Sequence, residues 1–212
     1  MSAARIPVIG IIGGIGSGKT AVAEALGKLI SVRRLDADVA GHRVLLDEKV
    51  KDALRKTFGD SIFDEQGEIV RSDLAKLVFG NQGAQQVARA KLEKIVHPEI
   101  RKILENQLEE IQYQQDCDVI ILDAALMLEA GWSEVCDAIV YLDVPEAVRL
   151  QRVQQRGWSE QEFRKREASQ LSLSEKQNRA EITISNATDL QSTANQLANW
   201  IKQNHSYEAM HH

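Results

Sequence analysis

The chain has 212 residues, 43% of them hydrophobic and 27% charged, with a formal net charge of −5 at pH 7. That length and apolar content suit one α/β domain with appended subdomains, and the acidic balance excludes a general electrostatic attraction to nucleic acid or to an anionic membrane. Cys117 and Cys136 lack Cys-x-x-Cys spacing, and neither a signal peptide nor an apolar run near the ~18 residues of a membrane span is present, so packing thiols in a reducing cytoplasm are expected.

The first predicted strand lies in Ile6-Pro7-Val8-Ile9-Gly10-Ile11-Ile12. It runs directly into Gly13-Gly14-Ile15-Gly16-Ser17-Gly18-Lys19-Thr20, and the helix-like Ala21-Val22-Ala23-Glu24-Ala25-Leu26 follows. A glycine-rich loop between strand and helix lets successive backbone N–H groups turn toward phosphate oxygens. The lysine then reaches the β/γ-phosphates, the threonine hydroxyl can ligate magnesium, and the helix adds its positive dipole end. Gly14, Ile15, Gly16, Ser17, Gly18, Lys19, Thr20 and Ala21 are therefore assigned to the triphosphate, with Thr20 also a magnesium ligand.

A second strand is expected around Leu35, ending at Asp36-Ala37-Asp38. Asp38 has two readings: a carboxylate that orients an acceptor hydroxyl, or an N-cap to the helix containing Val39, Ala40 and Val44. Residues 44–115 are too long for a plain crossover. Their helical pattern runs through Leu74, Leu77, Val78 and Phe79, then Val87, Leu92, Ile95 and Val96, then Ile100, Ile103, Leu104, Leu108 and Ile111, which predicts a helical subdomain. Within it, Asp64-Glu65-Gln66-Gly67 has the spacing of a GTPase Asp-x-x-Gly loop, but no long apolar strand precedes it, and a turn is the expected structure.

The run Val119-Ile120-Ile121-Leu122-Asp123 is apolar without alternation, as a strand buried on both faces should be. Asp123 falls at its carboxyl end, where open parallel sheets hold their ligands, and is assigned with Thr20 to magnesium. Further strands are predicted at Ala138–Leu142 and Ile182–Ile184. Between them, residues 149–179 carry Arg149, Arg152, Arg156, Arg164, Lys165, Arg166, Lys176 and Arg179, a basic run in an acidic protein. Helical charge pairs such as Glu162/Arg166 account for part of it. The remainder suits a lid that closes over phosphates and excludes water. Strands alternating with helices imply a parallel sheet covered on both faces. The tail from His205 to His212 has the composition of a frayed end.

A phosphate loop alone serves ATPases, GTP switches and kinases. The guanine-reading Asn-Lys-x-Asp is absent, whereas a helical insert and a basic lid, in that order, suit a small-molecule kinase. A nucleotide-dependent adaptor, another kinase of the same architecture, and a structural protein with a vestigial loop remain the alternatives.

The chain resembles dephospho-coenzyme A kinases over most of its length. The resemblance rests on the loop at residues 13–19, on Leu35-Asp36-Ala37-Asp38 with His42, on Phe58-Gly59, Gly67, Arg71, Leu74 and Val78-Phe79, and on His97-Pro98-Glu99-Ile100. It continues through Asp123-Ala124-Ala125-Leu126-Met127-Leu128-Glu129-Ala130-Gly131-Trp132, then Arg152, Arg156, Arg166, Gln170, Arg179 and Asn186. Ile12 stands where threonine is usual, Ala125 where proline is usual, and Thr188 where a glycine is usual. The resemblance implies a three-layer P-loop NTPase fold with a five-stranded parallel sheet, a helical acceptor-binding insertion and an arginine-rich lid. It implies ATP and Mg2+ as cofactors, dephospho-coenzyme A as acceptor, and transfer to its ribose 3′-hydroxyl. It also implies catalytic roles for Asp38, Lys19, Arg152 and Arg156, with Asn186 near the adenine. His97 on its own reads as a capping or packing histidine.

Overall fold

A computed structural model describes residues 5–78 and 83–205. Contacts divide the chain into a sheet-centred unit, residues 1–36 with 107–212, and a helical unit, residues 37–106.

The sheet unit holds β1 (Val8–Gly13), β2 (Val32–Asp36), β3 (Val119–Asp123), β4 (Ala138–Asp143) and β5 (Ile182–Ser185), in the order β2-β3-β1-β4-β5. Every pairing is parallel. This is the predicted five-stranded α/β sheet. All residues of β1 and β3 are buried, which is what two covered faces require of central strands.

Alternate side chains along each strand face opposite ways. Ile9, Ile11, Val119, Ile121, Val140 and Leu142 pack with Val22 and Leu26 of helix α1 (Lys19–Leu26) and with Leu197 and Ile201 of the last helix, Leu190–Asn204. On the other face, Gly10 leaves room for Met127 and Cys136. A Cβ there would stand 2.7 Å from Met127 Sδ and 2.9 Å from Cys136 Sγ. Met127 and Leu128 are buried, as expected of packing residues.

The helical unit opens with α2 (Ala37–Val44), α3 (Glu48–Phe58) and α4 (Arg71–Val78). The long α5 (Gly83–Gln114) begins in this unit and ends in the other. Asp47 caps α3 by accepting from Lys49 and Val50. Asp64–Gly67 is the expected turn: Asp64 Oδ1 accepts from the N–H groups of Gln66 and Glu68, and Gly67 takes φ 79°. Leu74, Val78, Ile100 and Leu104 are buried, but Val87 of the expected apolar pattern is 58% exposed. Phe79 lies outside the described residues, as does the tail beyond His205. His97 sits in mid-helix and half-buried, so it is no cap, and burial pushes its pKa below the usual histidine value.

Basic residues 149–179 fall on α6 (Glu146–Gln154), α7 (Glu160–Glu167) and α8 (Leu173–Asn178) and on their connections. Ser159 caps α7, and Ser172 with Glu175 forms a reciprocal capping box on α8. Much of the positive charge is paired internally. Arg164 meets Glu146 and Glu160, and Arg166 meets Glu162 while stacking over Trp158 at 4.2 Å. More of this run is therefore explained by helix pairing than the sequence suggested.

Neither cysteine is in a disulfide. Burial raises the Cys117 thiol and pushes Cys136 up to about 12, so both stay protonated near neutrality. Iodoacetamide at pH 8 should leave both thiols of the native protein largely unmodified and should label both in denaturant. Mass spectrometry showing rapid native labelling of Cys136 would contradict the packing role.

Candidate active site

The phosphate loop begins where β1 ends, and its shape is set by close approaches behind it. Gly16 and Gly18 take φ 79° and 85°, a region costly for other residues. A Cβ on Gly16 would stand 2.6 Å from the Arg149 carbonyl oxygen, and one on Gly18 would stand 2.8 Å from Asn186 Nδ2. Gly18 is also the N-cap of α1 and has no side chain to offer the helix. The first-turn N–H groups, Thr20 and Ala21 among them, have no partner within the helix and suit an anion.

Thr20 Oγ1 donates to Asp123 Oδ2 at 2.7 Å, which joins the loop's end to the end of β3. The pairing of Asp36 with Asp123 sets the ends of β2 and β3 level, and the pairing of Ile11 with Asp123 carries β1 two residues past them into the loop. A hydroxyl and a carboxylate held this way form the donor set that a hydrated divalent cation takes alongside phosphate oxygens. The Gly16 and Gly18 cradle fits a polyphosphate, so the residues present suit a magnesium nucleotide. Lys19 is half-buried at the first position of α1.

Asn186, expected near the adenine, is buried beneath the loop. Its Nδ2 donates to the Ser17 carbonyl at 2.7 Å, and its Oδ1 accepts from Thr193 Oγ1 at 3.1 Å. Arg152 Nη2 donates to the Asn186 carbonyl at 2.8 Å, while its Nη1 lies 3.5 and 3.4 Å from the carbonyl oxygens of Gly16 and Ser17. Arg156, two residues beyond the end of α6, is exposed.

Arg149 is the supporting residue that motif reading left inside a general basic run. It is 2% exposed, donates through Nε to Val144 O and through Nη1 to Ile15 O, and pairs with Glu167. Its guanidinium also lies 5.3 Å over the Phe163 ring. Pro145, four residues earlier, marks in sequence the start of α6, but nothing in the sequence shows that Arg149 is the arginine that turns to the loop. Glu129 is a second such residue, accepting from the Leu171 N–H at 2.9 Å and pairing with buried Lys176 at 3.3 Å.

Asp38 occupies the first turn of α2, two residues beyond the end of β2. It is a helical residue and not the flanking cap. His42 follows one turn later, and its Nε2 lies 2.6 Å from Arg71 Nη2. The guanidinium must donate there, which makes Nε2 the acceptor.

Asn186→Leu removes the 2.7 Å donor that holds the Ser17 carbonyl and leaves it only the longer 3.4 Å contact from Arg152 Nη1, at a cost of about 1–3 kcal/mol. It should weaken ADP binding about tenfold or more, read by calorimetry, with the fold retained by circular dichroism. Unchanged affinity would show that the loop holds its shape without this bond.

The family model for dephospho-CoA kinase matches residues 7–192. A Rhodopirellula baltica dephospho-CoA kinase is 38% identical over 180 residues, spanning 85% of this chain and 82% of the relative. The crystal structure of TT1252 from Thermus thermophilus superposes with a TM-score of 0.77 at 29% identity, covering 94% of this chain and 98% of that one. A dephospho-CoA kinase from Campylobacter jejuni, at 20% identity and a TM-score of 0.66 over 92% and 97% of the two chains, shows the same fold. With its phosphate loop and its Thr20–Asp123 pair in place, this chain belongs to the dephospho-CoA kinase family.

Proposed function

We propose that the protein transfers the γ-phosphoryl group of ATP to the ribose 3′-hydroxyl of dephospho-coenzyme A, giving coenzyme A and ADP. The observation that carries this reading is the phosphate loop tied through Thr20 to Asp123, in a chain that matches the family model from residue 7 to residue 192. In the proposed mechanism, backbone N–H groups of residues 14–21 hold the triphosphate and Lys19 neutralises charge that develops on the moving group. Thr20 and Asp123 would hold magnesium, which would supply further positive charge to the phosphates.

Asp38 accepts from the acceptor hydroxyl and orients it. A carboxylate is a weak base near neutrality, but in a loose transition state the hydroxyl keeps its proton until late, so orientation is the larger task. Arg152 lies against the loop carbonyls and would bring its charge to a phosphate held there, whereas Arg156 is exposed and would come with lid closure. Two thiols outside any disulfide, and no described helix long and apolar enough to cross a membrane, support a cytoplasmic site of action.

With ATP and magnesium, dephospho-coenzyme A should be phosphorylated far faster than adenosine or nucleoside monophosphates in a coupled ADP-release assay. Equal or faster turnover of a nucleoside monophosphate would overturn this acceptor. Asp38→Asn should keep ADP affinity and lose about 10²-fold or more of kcat. Near-normal kcat would remove Asp38 from the reaction.

A further inference from the structure

The carboxyl end of the sheet carries a cation that the phosphate-loop chemistry does not require. Arg34 lies on the edge strand β2, where Val32, Arg34 and Asp36 share one face and Arg33 and Leu35 share the other. The face with Val32 is the one that packs toward α1, and Ile121 and Asp123 of β3 lie on it as well. Asp36 is level with Asp123, and Arg34 is level with Ile121 one step below. The guanidinium therefore reaches up between two carboxylates: Nη2 stands 3.2 Å from Asp36 Oδ2, and Nη1 stands 3.9 Å from Asp123 Oδ2. Helix α1 adds Glu24 at 3.8 Å from Nη1, one turn beyond Thr20 on the same helix face.

We infer that Arg34 is a built-in counter-charge for the metal seat. It neutralises the level pair Asp36 and Asp123 in the metal-free protein, and it lowers the seat's affinity for a divalent cation by occupying the same carboxylate field. The oxygen it faces on Asp123 is the one that accepts from Thr20, so guanidinium and metal draw on one atom. At 32% exposure the arginine has room to swing outward when a metal nucleotide arrives. Removing it leaves two like charges side by side at the ends of neighbouring strands, which costs stability when no metal is present. It also leaves a more negative seat, which favours a divalent cation. Arg34 is thus a positioning residue that sets how much divalent cation the site requires.

This inference rests on the proposed seat at Thr20 and Asp123. The test uses the whole chain, with Mn2+ titrated in the presence of ADP and free Mn2+ read by electron paramagnetic resonance, alongside thermal unfolding without metal. Arg34→Met should bind Mn2+ with ADP about fivefold more tightly or better, the scale of one charge pair near 4 Å under water-like screening. Its metal-free Tm should fall by roughly 2–4 °C. Arg34→Lys, which keeps the charge, should resemble the unsubstituted protein, because these contacts are spaced charges and not a planar bidentate fork. Arg33→Met is the control, since Arg33 pairs with Asp116 at 2.7 Å on the other face, and its Mn2+ affinity should not change. Unchanged or weaker Mn2+ binding by Arg34→Met, or a lysine variant that behaves like the methionine one, overturns the role of Arg34. Absence of Mn2+ binding by the unsubstituted protein with ADP overturns the seat and this inference together.

Discussion

The hydrogen bond from Thr20 to Asp123, 2.7 Å long, is the constraint through which sheet, loop and chemistry meet. Its two ends come from the first and second segments of the sheet unit, 103 residues apart, and nothing local could bring them together. Parallel pairing does so: β1 and β3 are in register from Val8 with Ile120 to Ile11 with Asp123, so the loop that leaves β1 must pass the end of β3. The pairing is held in turn by a fully buried seam, since every residue of both strands is enclosed. A slip in register would move Asp123 to the other face of the sheet and separate the pair.

Behind the loop, the same logic applies to polar groups. A loop built to turn N–H groups toward a phosphate turns carbonyls the other way, into the protein, where each needs a donor. Arg149 supplies one to Ile15, and Asn186 supplies one to Ser17. Arg152 lies beside the carbonyls of Gly16 and Ser17 and fixes the turn that carries Asn186. The fourth-strand helix and the fifth-strand turn thus hold a loop that belongs to the first strand. That support explains why glycine is required at residues 16 and 18, where a side chain would strike Arg149 or Asn186 as well as strain the backbone.

Much of this was readable before any coordinates. The central strands β1, β3 and β4 were legible as apolar runs, because strands covered on both faces need them, while the edge strands β2 and β5 showed only as short stretches around Leu35 and Ile182–Ile184; the loop motif fell where strand meets helix. Asp123 was identifiable because it ends the most uniformly apolar run. What could not be read was the use made of each arginine. Arg149, Arg152 and Arg164 look alike in sequence, yet the first braces the loop, the second caps carbonyls and the third pairs with Glu146 and Glu160. Those differences depend on helix orientation, which no local pattern encodes. Asn186 was placed beside the adenine by family likeness, and its burial under Ser17 appears only in three dimensions. Arg34 was missed for a simpler reason, since an exposed arginine on an edge strand is ordinary until its neighbours across the sheet are known.

In the proposed site, Asp123 and the phosphate loop together hold one metal nucleotide. The most direct test is the magnesium dependence of ADP affinity in Asp123→Asn, a change that keeps the side chain's shape and its ability to accept from Thr20 while removing the charge. Calorimetry of the unsubstituted protein should show magnesium tightening ADP binding. The variant should keep the metal-free affinity and lose that tightening. A magnesium effect that survives the substitution intact would place the metal elsewhere and contradict the account.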